Sequence, residues 1–149
     1  MFTLKEDAKR QATREACLRQ LREYRVGIVL SASGQKKRIF AILEHGAPGR
    51  NIPPRPVIRP ALTRESAREG ITAGLRQAAE ATRDGRPEGV ESGLEAAGAA
   101  AVEAIRAYID AGVPPPNAPA TAARKGFNKP LVDTGELYNA FTYTIERKS

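Results

Sequence analysis

The sequence is poor in the residues from which most catalytic and metal sites are built. It has one cysteine, Cys17, one histidine, His45, and no tryptophan. One cysteine excludes an intrachain disulfide and a cluster of thiolate ligands, so we expect Cys17 to be buried as a small hydrophobic residue. One histidine makes a His-based metal site or a Ser-His-Asp triad hard to assemble within the chain. Four Phe and four Tyr are too few for the aromatic platforms that stack single-stranded nucleic acid.

Long hydrophobic runs and the motifs of cofactor sites are missing as well. No segment approaches the ~20 apolar residues of a membrane-spanning helix, and the charges close to the N-terminus argue against a secretory signal. A phosphate-binding glycine loop and the His-Glu-x-x-His zinc motif are absent. We therefore expect a soluble protein, compatible with a reducing compartment, that uses no cofactor or metal and contacts no membrane.

The remaining acid–base candidates have structural explanations. Asp133 and Glu136 have the spacing of a helix capping box, and Glu44 and His45 end an apolar run, where polar pairs commonly form a turn. Nothing in the sequence places two carboxylates in separate environments, as acid–base catalysis requires. We therefore predict that the protein is not an enzyme.

What the chain does have is an uneven distribution of charge. Its 149 residues are 41% hydrophobic and 28% charged, typical of one globular domain, and the formal charge is +7. Residues 34–60 hold six bases and one acid, whereas residues 87–111 hold five acids and one base. A basic surface can follow nucleic-acid phosphates, and complementary patches can meet across subunits. The composition leaves both possibilities open.

Apolar spacing predicts three long helices and a small sheet. The helices cover residues 4–24, 63–84 and 87–111. Short runs rich in β-formers predict strands at 25–31, 38–44 and 141–145, of which the first two form a hairpin. The predicted fold class is α+β: a small antiparallel sheet (the hairpin plus the C-terminal strand) packed against two or three long helices, with extended Pro-rich loops.

Each predicted helix has an apolar face and recognisable ends. We expect Thr63 to cap the second helix and Gly85 to end it. The stripe of the first helix consists of Leu4, Ala8, Ala12, Cys17, Leu18 and Leu21. The ridge of the third helix consists of Val90, Leu94, Ala97, Ala101, Ile105 and Ile109. Alanines at 96–101 permit close packing, so the second and third helices should supply most of the core.

Residues 45–60 differ in character from the rest of the chain. They include five prolines and two glycines, and proline restricts the residue before it, so this loop should be stiff and extended. A long loop of this kind in a small domain is commonly functional. We predict that it contacts a partner through Arg50, Ile52, Pro53, Pro54, Arg55, Pro56, Val57, Ile58 and Arg59. The single domain then consists of an arm loop at 45–62, a helical core at 63–111 and a C-terminal loop and strand at 112–149.

Two groups of motifs resemble those of a known family. The first is LEHG at 43–46 followed by IPPRPVIRP at 52–60. The second is PPPNAPATAARKG at 114–126, followed by KPLVDTGEL at 129–137 and the final strand. In this order, with two helices between them, they look like the motifs of phage neck, tail-completion and virion-morphogenesis proteins. The resemblance covers most of the chain from about Val26 onward.

The resemblance implies a structural virion protein in the head–tail connection of a long-tailed phage or phage-like particle. It implies a homo-oligomeric ring of about six copies, assembled in the host cytoplasm, between the head connector or stopper protein and the tail terminator or tail tube protein. The stiff loop would be the arm that reaches a neighbouring subunit. A structural motif that fixes the final strand would consist of Lys125, Gly126, Leu131, Asp133, Thr134, Gly135 and Leu137.

Other functions stay open at this point. A tail terminator ring, which caps the tail tube, is not distinguished from a neck ring. A basic DNA-binding module is the alternative of another class, and non-specific contact with packaged DNA fits the net charge. No predicted helix, however, concentrates Arg and Lys on one face as a recognition helix does. A small enzyme is disfavoured by the missing histidines and motifs.

Overall fold

Two long antiparallel helices and a two-stranded sheet organise the fold. A computed structural model describes residues 4–126, 128, 131 and 135–147 of the chain. In this part the elements are, in chain order, α1 (Leu4–Glu23), β1 (Tyr24–Leu30), α2 (Gly34–His45), a 3-10 turn (Pro48–Arg50), α3 (Ile58–Thr63), α4 (Glu65–Asp84), α5 (Pro87–Asp110), α6 (Pro119–Lys125), α7 (Glu136–Asn139) and β2 (Phe141–Arg147). This small, mostly helical α+β fold confirms the predicted fold class.

α4 and α5 pack against each other as a helical hairpin. Gly85 adopts the left-handed backbone conformation (φ 67°) and ends α4, as predicted. The apolar ridge predicted for α5 is buried along its whole length. On α4 the buried residues are Ala67, Gly74, Ala78, Ala81 and Thr82. Leu75 lies beside this face and remains 45% exposed.

Glycines allow these two helices to approach more closely than alanines would. A Cβ added to Gly74 would lie 2.8 Å from the carbonyl oxygen of Gly93, and a Cβ added to Gly93 would lie 2.7 Å from the carbonyl oxygen of Gly74. Both obstructing atoms are backbone, so no side-chain rotation would relieve the overlap. Close packing of these helices was predicted at 96–101. In the structure it is centred on Gly74 and Gly93, with Ala97 beside them.

The sheet joins the N-terminal strand to the C-terminal strand. β1 and β2 are antiparallel, with Tyr24 opposite Arg147 and Leu30 opposite Phe141. The inner face lies on α5, where a Cβ on Gly98 would come within 2.6 Å of the Tyr143 ring. The predicted C-terminal strand is confirmed, and Phe141 is almost completely buried in the main core.

The strand predicted at 38–44 is wrong, because these residues belong to helix α2. The helix begins after Ser33, whose Oγ accepts a hydrogen bond from the Lys36 amide at 3.4 Å. Consecutive apolar residues fit a buried strand and a buried helix equally well. Here Phe40 and Leu43 pack against the core while Ile39 is 47% exposed, the spacing of one helical face. β1 therefore has no hairpin partner at 38–44 and pairs with β2 instead.

α1 is helical as predicted, but most of its apolar stripe is not buried. Cys17 is completely buried, as predicted, beside residues of α4 and α5. Leu21 is half-buried in the same cluster, whereas Leu18 is 42% exposed. Ala8 and Ala12 are exposed. Neighbouring helices reach the stripe mainly at Cys17 and Leu21, so hydrophobic periodicity alone overstated how much of this helix is covered.

The Pro-rich loop is shorter than predicted, because its last residues form helix α3. Pro60 is the third residue of that helix, in the first turn, where a missing N–H removes no helical hydrogen bond. Thr63 does not cap α4 as predicted. It ends α3, and its Oγ1 donates a hydrogen bond to the carbonyl oxygen of Arg59 at 3.0 Å. α4 begins at Glu65 without a side-chain cap.

Candidate assembly surfaces

Arg55 fastens the Pro-rich loop to the segment that follows α5. Its Nε donates to the carbonyl oxygen of Pro115 at 2.8 Å, and its Nη2 donates to that of Pro116 at 2.9 Å. The Arg55 amide also donates to the carbonyl oxygen of Leu43, near the end of α2, at 2.6 Å. The residue is only 7% exposed. One side chain therefore joins the two groups of motifs that carry the family resemblance.

Glu44 holds the other end of the same loop. Its carboxylate accepts hydrogen bonds from the amides of Val57 at 2.7 Å and Ile58 at 3.3 Å. These amides lie at the start of α3, where backbone N–H groups have no partner within the helix and favour a negative charge. Glu44 therefore accepts hydrogen bonds that hold this end of the loop in place. It is more than the turn residue that its position after an apolar run predicted.

Replacing Glu44 with glutamine tests this role. The amide oxygen can still accept one hydrogen bond, but the charge-assisted pair is lost, so we expect the unfolding free energy to fall by about 1–2 kcal/mol. Urea denaturation followed by circular dichroism measures the change. Glu69→Gln, at an exposed position of α4, is the matched control and should stay within about 0.5 kcal/mol of the native protein. Equal midpoints for both variants would contradict this role for Glu44.

Two residues of the predicted arm point inward rather than toward a partner. Arg55 makes the internal hydrogen bonds described above, and Val57 is completely buried in the main core. Ile58 is partly buried against the same core, and Ile52 is half-buried in a bridge with Ala47. The exposed residues of the predicted arm are Arg50, Pro53, Pro54, Pro56 and Arg59. Any contact with a partner is therefore restricted to this exposed side.

Four cations in residues 34–60 are exposed and make no ion pair within the described residues. They are Lys37, Arg38, Arg50 and Arg59, which we call the exposed bases. Lys36 differs, because it pairs with Glu136 on α7. Of the six bases in residues 34–60, Lys36 and Arg55 therefore bind other groups within the chain, and the other four lie on the surface.

α5 carries a matching set of unpaired acids. Its acidic stripe consists of Glu88, Glu91, Glu95 and Glu103, all exposed. Their spacing places them within about 120° of one another around a helix of 3.6 residues per turn. No ion pair in the described part of the chain includes any of the four. The sequence predicted an acidic helix, and the spacing places these acids on one face. The burial of the opposite face shows that the acidic face is the one exposed to solvent.

Some charged groups of the described residues form ion pairs within the chain. Arg25 of β1 pairs with Glu146 of β2 at 3.0 Å, and this hydrogen bond lowers the pKa of the Glu146 carboxyl. Asp84 accepts from Arg83 and Arg86 at the α4–α5 turn, and these bonds lower the pKa of its carboxyl. None of these ion pairs includes a residue of the acidic stripe or of the exposed bases.

The C-terminal structural motif is only partly described. Gly126 ends α6 with a positive φ of 78°, and Lys125 is the last residue of that helix. Leu131 is 8% exposed in the main core, and Leu137 packs against it. Asp133 and Thr134 lie outside the described residues. α7 begins at Glu136 after Gly135, so the predicted capping box, in which Glu136 would be the third helical residue, is not formed in that register.

The described residues contain no cluster of three His, Cys, Asp or Glu side chains able to hold a metal ion. None of the helices in this part combines the length and apolar character needed to cross a bilayer. No family model, no curated protein and no solved structure matches the chain.

Proposed function

We propose that this protein is a structural subunit of a homo-oligomeric ring in the head–tail connection of a long-tailed phage or phage-like particle. The observation that carries the proposal is the separation of unpaired charge: exposed bases in residues 34–60 and an acidic stripe on α5. A heterologous contact, in which one surface meets a different surface of the next copy, generates a closed ring when the rotation between copies allows it. Opposite charges on the two surfaces favour that contact and fix its orientation.

The arrangement of the motifs supports the same proposal. Arg55 belongs to the IPPRPVIRP motif, and its hydrogen-bond acceptors Pro115 and Pro116 belong to the PPPNAPATAARKG motif. Segments about sixty residues apart in sequence thus form one structural unit. A stiff, anchored loop presents Arg50 and Arg59 at a defined place, which reduces the entropy lost when a partner binds.

Charge reversal on the acidic stripe tests the proposal. We expect the native chain to form a ring that light scattering and electron microscopy detect, and Glu91→Lys/Glu95→Lys to raise the concentration needed for assembly at least about tenfold. Adding Arg50→Glu/Arg59→Glu should restore part of the assembly. Glu69→Lys, at an exposed position of α4 outside the stripe, is the control and should assemble as the native chain does.

Two results would count against this function. A protein that stays monomeric at every concentration would contradict the ring. A monomer that binds duplex DNA with the steep salt dependence of many phosphate contacts would favour the DNA-binding alternative. The head–tail location has its own test, because a tagged subunit is expected at the junction of head and tail in purified particles.

A further inference from the structure

The two outer edges of the sheet carry backbone groups that point away from the partner strand. In an antiparallel pair, alternate residues exchange hydrogen bonds with the other strand, and the residues between them direct their N–H and C=O outward. The Ser31 amide donates to the carbonyl oxygen of Ala140 at 2.8 Å, which fixes this alternation. Val26 and Ile28 therefore direct their backbone groups outward on β1.

The same alternation assigns Tyr143 and Ile145 to the outer edge of β2. Phe141 also belongs to this set, and its carbonyl oxygen accepts a hydrogen bond from Nη2 of Arg106 at 3.0 Å, from outside the sheet. In the described part of the chain, no hydrogen bond reaches the outward groups of Val26, Ile28, Tyr143 or Ile145. A strand edge without partners is a template for pairing with another strand.

Each edge borders an open groove. The groove beside β1 has a volume of about 530 Å³ and is lined on its far side by Leu62, Ile71 and Leu75. The groove beside β2 has a volume of about 620 Å³ and is lined by residues of α5 and by Tyr138 of α7. Leu75 is among the most exposed large hydrophobic residues in the described part of the chain, and burial of such a side chain favours association.

We propose that the β1 edge of one copy pairs with the β2 edge of the next, so that the sheet continues from copy to copy. β1 and β2 run in opposite directions and have seven residues each, so this junction is antiparallel like the pairing within the chain. Because the two edges are different surfaces, the contact is heterologous, as a ring requires. The inference rests on the proposed function, since it names the backbone contact through which ring subunits join.

The register within the chain indicates the register between copies. If it is repeated, Ile28 stands opposite Tyr143 of the partner subunit, and Val26 stands opposite Ile145 of the partner subunit. These are the residues whose backbone groups point outward, so each junction gains two hydrogen-bonded pairs. On the uncovered face, Arg25 then stands opposite Glu146 of the partner subunit as well as its own Glu146. The repeated register therefore pairs the outward backbone groups and places opposite charges side by side.

Amide hydrogen exchange tests the junction with an internal control. On assembly, exchange at the outward amides of Val26, Ile28, Tyr143 and Ile145 should slow by at least about 100-fold. The amide of Val29 points inward and should be protected to a similar degree in monomer and oligomer. Exchange is measured on dilute monomer and on concentrated oligomer, then quenched and read out after dissociation.

A pair of variants at one position separates the backbone contact from side-chain packing. Val26→Ala and Val26→Pro both remove the valine side chain, but only proline removes the outward N–H, which an edge strand tolerates. We expect Val26→Pro to need at least about tenfold more protein than Val26→Ala to assemble. Circular dichroism establishes that both are folded. If Val26→Pro does not fold, hydrogen exchange on the native chain decides the question.

The outcomes distinguish this inference from the proposed function. A ring in which the outward amides exchange as fast as in the monomer would overturn strand pairing and leave the ring intact. Equal assembly of folded Val26→Ala and Val26→Pro would also overturn it. A chain that never assembles would overturn both proposals.

Discussion

Gly93→Ala is expected to destabilise the protein by about 3 kcal/mol or more, the upper range for an overpacked core. The new methyl group would lie 2.7 Å from the carbonyl oxygen of Gly74 and 2.8 Å from Cα of Ala78. Because these are backbone atoms of α4, the two helices would have to move apart along their shared interface. That movement would also loosen the side chains packed beside it. The gain of about 1 kcal/mol from replacing glycine inside a helix does not offset this cost.

Two other glycine-to-alanine changes make the measurement specific. Gly34 lies in the first turn of α2 with nothing within 4 Å of an added Cβ, so Gly34→Ala should be neutral or stabilise by up to about 1 kcal/mol. Gly70→Ala should be intermediate, because its Cβ would meet only the Ala100 methyl at 3.1 Å. Thermal and urea unfolding measure all three. Equal stability of Gly93→Ala and Gly34→Ala would refute the glycine contact.

Arg55→Ala is expected to lower the unfolding free energy by about 2–3 kcal/mol, because two charge-assisted hydrogen bonds to carbonyl oxygens are lost together with the packing of the buried side-chain stem. Arg55 is 7% exposed and holds the carbonyl oxygens of Pro115 and Pro116. We also expect faster proteolysis within residues 45–57 and 112–118, since the two segments would no longer be tied together.

Arg59→Ala is the matched control for this effect. Arg59 is an exposed base in the same segment, and the described residues give its side chain no hydrogen bond, so its removal should change stability by no more than about 0.5 kcal/mol. For assembly of the proposed ring we expect the reverse order, with Arg59→Ala weakening assembly more than Arg55→Ala. Arg59 would contact the neighbouring subunit directly, whereas Arg55 would act only through the shape of the loop. A stability loss for Arg59→Ala as large as that for Arg55→Ala would contradict the division of the loop into an anchored side and an exposed side.

The predictions that succeeded rest on local signals. The long helices at 63–84 and 87–111 have periodic apolar residues and a glycine between them, and both were found with small shifts of their ends. The final strand alternates apolar and polar residues and lies where it was predicted. Burial of Cys17 follows from the chemistry of an isolated cysteine in a helix.

The predictions that failed depend on contacts between distant residues. Residues 38–44 are apolar enough for either a strand or a helix, and the choice was decided by a polar N-terminal turn capped by Ser33 and by the core that covers only one face. Arg55 has the sequence context of an exposed arm, yet it points inward because carbonyl oxygens about sixty residues later lie within hydrogen-bond distance. No local pattern contains that information.

The sequence by itself determined the helical core, the α+β class and the unequal distribution of charge, because each follows from the types of residue and their short-range spacing. Only the tertiary structure decided which strands pair, where the helices touch and which bases remain exposed. Strand pairing joins β1 to β2, which are far apart in sequence, and the close contact between α4 and α5 needs two glycines to face each other. Such features depend on which distant surfaces meet, and that is fixed by packing the whole chain rather than by any one segment.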